Sequence, residues 1–475
     1  MKVFVSAAAH GLTRYAASAA LALTLSAAPA AATTIERVTS PGGIEAWLVH
    51  EPAVPLVVVS FAFDGGAVQD PDDKAGTANL MASLLDEGAG PYDSKAFQER
   101  LDRKAVHLSF RAGREQIHGS LRTLSENKDE AFDDLRLALT APRFDAQDVD
   151  LNRAQILSAL RRQLKSPNDL AALRWWQTAY PGHPYGRPVA GTLESVPGIG
   201  IDDLKTFSHK TLARDHLKVA VVGDIDAATV KTMLDHVFGG LPAHAELKPV
   251  PPAIAQGLGK RIAVDLDVPQ TVIDFGGPGI ARSDPDFFAA YVVNHILGGG
   301  TFSSRLYQEV REKRGLVYSV SDTLLWFNRS AVFFGSTATR ADRADETINL
   351  ISNEIHRLAE SGPTDEELAK TKAYLNSSFV LNLDTSDKVA SLLVQLQLDH
   401  QPMNYIEYRK KMIDAVTLAD AKRVAKRLLD GGLLFTEVGR PSALANAGAP
   451  SGGPGAARPA LMPSGGMIGR PGDVH

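Results

Sequence analysis

Metal binding and general acid–base work need histidines, carboxylates or thiolates brought close together. The chain has 13 histidines and 55 acids but no cysteine. Thiolate metal sites and disulfides are therefore excluded. No two histidines lie within five positions of each other, so no helix carries a local metal-binding pair. His295, on the apolar helix at 287–297, is the tempting ligand for a site assembled from distant residues, but it reads better as a packed, hydrogen-bonded core histidine. The densest chemistry sits at residues 298–322, GGGTFSSRLYQEVREKRGLVYSVSD. Taken alone, Arg311 among Glu309, Glu312, Lys313 and Arg314 reads as a solvated helix face or as a positioned cation. Tyr318 reads as an ordinary strand aromatic or as a donor. The three glycines stop a helix, and no Gly-Lys-Ser/Thr follows them, so a P-loop is not indicated.

Residues 64–89 read DGGAVQDPDDKAGTANLMASLLDEGA. A helix over Gly76–Gly88 puts Ala78, Met81, Leu84 and Leu85 on a buried stripe. Asn79, Ala82 and Ser83 then share another face, because positions three and four apart are neighbours. This segment resembles the active-site helix of the pitrilysin/insulinase family of zinc peptidases, whose inverted motif is H-x-x-E-H. At those five positions this chain has Asn79, Leu80, Met81, Ala82 and Ser83. The family's remaining ligand, a Glu on a later helix, falls by count on Ala159, and no acid lies between Asp150 and Asp169. Zinc takes imidazole, thiolate or carboxylate ligands. The resemblance therefore implies a peptidase shape whose metal positions, Asn79, Ala82, Ser83 and Ala159, are degenerate. The general base that would activate water is lost at Ala82.

The 298–322 stretch resembles the family's C-terminal signature in its glycine run, its Ser-Arg-Leu, and its Arg ahead of Gly-Leu-x-Tyr. By that resemblance Arg311 and Tyr318 are the pair that contacts the substrate's backbone carbonyl, with Arg314 as the alternative register. A guanidinium and a phenol can stabilise the tetrahedral oxyanion of peptide hydrolysis as fixed donors, the charged bond strengthening as charge develops. The segment Tyr180–Pro188 also matches the family, and its prolines and glycines suit a surface turn. Trp175 and Trp176 read as packing.

These residues need a scaffold. At 475 residues the chain is too long for one ordinary core. VVVSFAFDGGAVQDP (57–71) parallels TVIDFGGPGIARSDP (271–285). Helices at 128–139 and 146–164 parallel those at 344–358 and 365–381. Each half closes with a helix feeding a strand, at 201–222 and again at 418–438. The order implies a duplication. The expected fold is α+β: two homologous domains, each a mostly antiparallel sheet with helices packed on one side, together half of a clam-shell. Residues 33–242 form the first domain with the degenerate zinc helix, and 261–440 the second with the Arg–Tyr motif. Residues 243–260 are a Pro-rich linker. Residues 441–475, rich in Gly, Pro and Ala, are expected to be a disordered tail.

Lys2 and Arg14, an apolar run from Tyr15 to Leu25 and the exit Ala30-Ala31-Ala32 make residues 1–32 an expected cleaved signal peptide, hence a periplasmic protein. No later segment is apolar enough to span a membrane. With a net charge of −5 and no basic stripe, nucleic acid is not an expected partner. The resemblance implies a subunit without a cofactor of its own. Zinc would reside in a homologous partner carrying H-x-x-E-H, and peptides would be the substrates. The other reading is a catalytically inert peptide-binding or scaffold protein of the same fold.

Overall fold

A computed structural model describes residues 34–440. The expected signal peptide and the Gly/Pro/Ala-rich tail lie outside the described residues. The first sheet contains β1 (Glu36–Thr39), β2 (Glu45–His50), β3 (Leu56–Asp64), β4 (His107–Ala112), β5 (Gln116–Leu124) and β6 (Leu217–Gly223), in the order β1-β2-β6-β3-β5-β4. The second contains β7 (Arg261–Asp265), β8 (Gln270–Pro278), β9 (Val317–Trp326), β10 (Ala331–Arg340) and β11 (Leu434–Gly439), in the order β7-β11-β8-β10-β9. Without β1 the two orders are the same. In each sheet one pair is parallel, β2 with β6 and β7 with β11, and the other pairs are antiparallel. The duplication thus extends to strand order and direction.

The first unit's helices are α1 (Thr77–Ala82), α2 (Ser94–Arg103), α3 (Lys128–Thr140), α4 (Ala146–Gln163), α5 (Pro167–Ala179), α6 (Ile201–Thr211) and α7 (Ala227–Phe238). The second unit has α8 (Phe287–Asn294), α9 (Ala344–Ser361), α10 (Asp365–Leu381), α11 (Ser386–Leu398), α12 (Tyr405–Ala415) and α13 (Leu418–Leu429). Thr364 and Glu367 cap α10 reciprocally, and Thr417 and Asp420 do the same for α13, which fixes where both helices start.

Each unit's own helices cover one sheet face, and the other face is not open. In β3, Val57, Val59, Phe61 and Phe63 point into the first unit's core, while Val58 and Ala62 point the other way. There they join Trp47, Val49, Ala220 and Val222 against Ala390, Leu393 and Val394 of α11, a helix of the second unit. Gln397 of α11 also donates to Val219 O at 2.9 Å. Reciprocally, α5 lies on the second sheet. Leu170 and Ala171 meet Val272 and Val438, and Trp175 and Trp176 meet Val332 and Phe334. A strand buried on both faces reads as a continuous apolar run rather than an alternation, and VVVSFAF is such a run. The units therefore exchange a helix.

The Tyr180–Pro188 segment differs from expectation. Gly182 does make a left-handed turn at the surface, but Tyr180 and Tyr185 are buried in the seam between the units. Tyr185 Oη donates to Glu115 at 2.5 Å and accepts from the Arg329 amide at 3.1 Å. The Asn328 amide reaches the same Glu115 carboxylate at 2.9 Å, and Tyr180 Oη meets Ser330 Oγ at 2.7 Å. Large aromatics with a polar tip suit such a half-polar seam.

Candidate functional sites on the two units

On the first unit, α1 is held by Asp70. Its carboxylate accepts from the Gly76 amide at 2.7 Å and the Ala78 amide at 2.8 Å. Burial pushes this acid up to about 7, although those two bonds and Arg187 favour its charge. The expected helix over Gly76–Gly88 ends early, at Ala82. The chain then winds more tightly through Leu84 N to Met81 O and Leu85 N to Ala82 O, bonds that span three residues. This winding turns both Leu84 and Leu85 into the core.

Asn79 is half-buried on this turn, Ala82 is 1% exposed, and Ser83 donates its hydroxyl back to Leu80 O at 3.0 Å. α4 shares the core of Met81, Ala82 and Leu160, with Ala159 beside them half-buried. The four degenerate positions thus stand on two elements packed in one core. An amide, two methyl groups and a committed hydroxyl do not fit zinc, which needs imidazole, thiolate or carboxylate. The acids of this region, Asp86, Glu87 and Asp148, were not singled out by sequence. Burial pushes Asp86 up to about 6, and burial with the repulsion of Glu87, Asp145 and Asp93 raises Asp148. Among the described residues no three His, Asp or Glu side chains converge as metal ligands.

On the second unit, Arg311 and Tyr318 come together. The expected regular helix to Lys313 is instead wound as a π-helix over Tyr307–Glu312, with Lys313 N bonded to Gln308 O at 3.0 Å. Gly315, at φ +60°, turns the chain back into β9, a conformation glycine adopts without strain. Arg311 Nε donates to Tyr318 O at 3.1 Å. Its guanidinium lies 5.1 Å from the centre of the Tyr307 ring and pairs with the Glu312 carboxylate. The Tyr318 ring is 73% exposed on the edge strand. Arg314, the alternative register, is tied to Glu309 instead, at 2.8 Å from both its carbonyl and its carboxylate. Arg311 is therefore the arginine coupled to Tyr318.

Two aromatics that sequence reasoning did not select complete this patch. Tyr307 is buried one turn before Arg311, a spacing that could have revealed it. Phe302 is 70% exposed with its ring 5.1 Å from Tyr307. His295 is buried, stacked on Tyr374 at 5.0 Å, and pushed down to about 4 by burial and by Arg409. It is a neutral core histidine. Trp175 and Trp176 are packing residues, with Arg114 lying 4.0 Å over Trp176.

Comparison with known proteins is consistent across both units. The family model described as insulinase (peptidase family M16) matches residues 46–193, and that described as peptidase M16 inactive domain matches 198–375. A Streptomyces coelicolor protein described as an uncharacterized zinc protease is 26% identical over 402 residues, covering 83% of this chain and 87% of that protein. A Helicobacter pylori protein described as the non-peptidase homolog YmxG is 27% identical over 333 residues, covering 70% of this chain and 77% of its own length. The solved peptidase M16 inactive domain from Pseudomonas fluorescens aligns with a TM-score of 0.81 at 25% identity, covering 86% of this chain and 98% of that one. A protease structure from Helicobacter pylori gives 0.78 at 20% identity, a likeness of fold alone, covering 86% and 100%.

Proposed function

The chain belongs to the M16 (insulinase) family of peptidases, and on that premise we propose that it is the non-zinc subunit of a heteromeric periplasmic metalloendopeptidase. A homologous partner with an intact H-x-x-E-H supplies the metal, and this chain supplies Arg311 and Tyr318 to the substrate. The observation that carries the reading is the contrast between its two units. The first has no group at Asn79, Ala82, Ser83 or Ala159 that a zinc ion would accept. The second keeps a guanidinium oriented by three contacts: the Tyr318 carbonyl, the Tyr307 ring and Glu312. A donor fixed before the reaction stabilises developing negative charge with little reorganisation. The substrate's scissile carbonyl is the natural acceptor, and Tyr318 Oη is a second donor on the adjoining strand edge.

The zinc, when bound by the partner, supplies the activated water. This chain binds and orients the peptide and donates hydrogen bonds to the oxyanion. Assaying the chain alone, the partner alone and the mixture against unfolded polypeptide tests the division. Turnover should appear only in the mixture, and chelator should abolish it. Chelator-sensitive turnover by this chain alone refutes the proposal.

A second reading, an inert peptide-binding or scaffold subunit, is favoured by the likeness to a relative described as a non-peptidase homolog. It predicts that Arg311 and Tyr318 are dispensable to hydrolysis in the mixture.

A further inference from the structure

Asp322 carries a carboxyl group that the proposed mechanism does not use. It lies on β9 between Val320 and Leu324, facing the second unit's core, opposite Gly335 of β10. It is 6% exposed. The Gly299 amide favours its charge, but neither carboxyl oxygen completes a hydrogen bond among the described residues.

What covers it is backbone. A methyl on Gly298 would stand 2.5 Å from Asp322 Oδ2, and one on Gly299 would stand 2.9 Å from Asn294 Nδ2. Asn294 is buried too, and its Oδ1 also lacks a partner. The turn that lies on these two groups, Gly298–Gly300, is the end of π-helical winding over His295–Gly299, and a second such winding follows at Tyr307–Glu312. Such winding is rare and gathers at functional places. Just beyond the turn is Phe302, whose ring rests on Tyr307, which in turn lies beneath Arg311.

We propose that Asp322 is a proton-operated catch beneath the glycine turn. With its proton on, the turn rests on the carboxyl and Phe302 stays beside Tyr307 and Arg311. With its proton off, the turn lifts to admit water, and Phe302 leaves that position. The consequence for catalysis rests on the role given to Arg311 above; the motion of the turn does not.

The physics is the cost of an unpaired buried charge. A neutral carboxyl can be covered by glycine backbone at far lower cost than a bare carboxylate. An ionised carboxylate at the same spot has no cation. The titratable and charged groups on the elements packed against β9 are His295, with Tyr374 and Arg409 beside it, and Tyr307, Glu309, Arg311 and Glu312 of the second π-helical winding, where Glu309 is paired with Lys313 and Arg314 and Arg311 with Glu312. His295 is neutral. Arg409 donates to Leu375 O at 2.9 Å and lies over Phe379. β10 presents only Gly335 opposite. Among the described residues no ion pair reaches Asp322, and burial holds its carboxyl well above the usual range. An uncompensated buried charge is more costly than opening a short turn to solvent. In linkage terms the folded state keeps a proton that the unfolded state has lost. The closed turn is therefore favoured at lower pH and weakened as pH rises through the folded value.

Peptide-resolved hydrogen exchange over residues 295–306, from pH 5 to 9 and corrected for intrinsic rates, tests this on the full chain. Protection in the native chain should fall at least tenfold as pH rises, whereas Asp322→Asn should stay protected throughout. Asp322→Ser is the second neutral variant should the first fold poorly. No transition in the native chain, or the same transition in a folded neutral variant, overturns the proposal. In the reconstituted complex the neutral variant should also lose the alkaline limb of kcat/KM. A transition in exchange without that change keeps the catch and instead removes Arg311 from the reaction.

Discussion

Replacing Arg311 is the sharpest test of the functional reading. In this structure its three contacts leave little slack. Nε is committed to Tyr318 O at 3.1 Å, the guanidinium plane is set over Tyr307, and Nη1 meets Glu312. An incoming carbonyl can take Nη2 directly, and Nη1 once Glu312 lets go. Arg311→Ala removes one of the two oxyanion donors, which corresponds to a fall in kcat of ~10²–10³, or ~2.7–4 kcal/mol. Arg311→Lys offers one ammonium for both the Tyr318 carbonyl and the substrate, so it should fall between Ala and the native rate. Glu312→Gln frees the fork. That ion pair is 37% and 44% exposed on its two sides. Its coupling is therefore ~0.2–1 kcal/mol after solvent screening, and the rate should rise no more than roughly fivefold. The assay is single-turnover cleavage of a fluorogenic peptide by the reconstituted complex, with complex formation checked by gel filtration. The contacts are near the surface, so the melting temperature should barely move. An Arg311→Ala complex that assembles and cleaves within twofold of the native rate would refute the reasoning and leave the scaffold reading standing.

Other outcomes follow from the same structure. Tyr185→Phe deletes the hydroxyl that serves Glu115 and the Arg329 amide, and should cost ~1.5–3 kcal/mol in urea unfolding; a loss below ~0.5 kcal/mol, the ordinary range for a neutral surface change, would show that the seam does not depend on it. Asp274 is fully buried, accepts from Ser336 Oγ at 2.6 Å, and is pushed from 3.8 up to about 7 by burial. The folded chain then binds the proton more tightly than the unfolded chain. Stability should fall as pH rises from about 4 to about 7, by an upper bound of roughly 4 kcal/mol. Asp274→Asn should flatten that slope in part, leaving the share owed to Asp70, Asp86 and Asp322, and an unchanged slope would show that Asp274 titrates normally. Elemental analysis of the isolated chain should find substoichiometric zinc, and one tightly held ion per chain would contradict the chemistry of Asn79, Ala82, Ser83 and Ala159.

How far the sequence reaches depends on the range of the interaction that decides each feature. The helix Asp365–Leu381 is legible to the residue, because Thr364 and Glu367 cap it locally and the apolar spacing does the rest. The order of elements in the two halves is legible because strand patterns and closing helices repeat. The end of α1 is not, because a tighter winding that buries Leu84 and Leu85 competes with the regular helix, and the core decides between them. The same holds at Tyr307–Glu312, where the wider turn follows from tertiary fit rather than from residue preference. Tyr185 looked like part of a surface turn because its flanking prolines and glycines do make one; its ring goes to the seam because Glu115 and the Arg329 amide, far away in sequence, receive its hydroxyl. Asp322 had a local signal: in V-S-D-T-L the alternation puts an acid on the inward face between Val320 and Leu324.

The exchanged helices give the first unit a packing role that does not depend on metal ligands. α5 supplies Leu170, Ala171, Trp175 and Trp176 to the second sheet, and Trp175 Nε1 and Thr436 Oγ1 make hydrogen bonds across that junction to Leu434 O and Ala171 O. Remove the first unit, and Val272, Val332, Phe334 and Val438 face water, at a cost of ~25 cal/mol for each Å² of apolar surface laid bare. The sheet so exposed is the one whose edge strand carries Tyr318. The residues at 79, 82, 83 and 159 differ from zinc ligands only in their side chains. Loss of the first unit's fold would unseat the wall behind Arg311. Chemistry and architecture are therefore separable in this chain: zinc-ligating side chains can be absent from α1 without disturbing α5, and the sheet that carries Tyr318 still packs on the unit whose α1 lacks them.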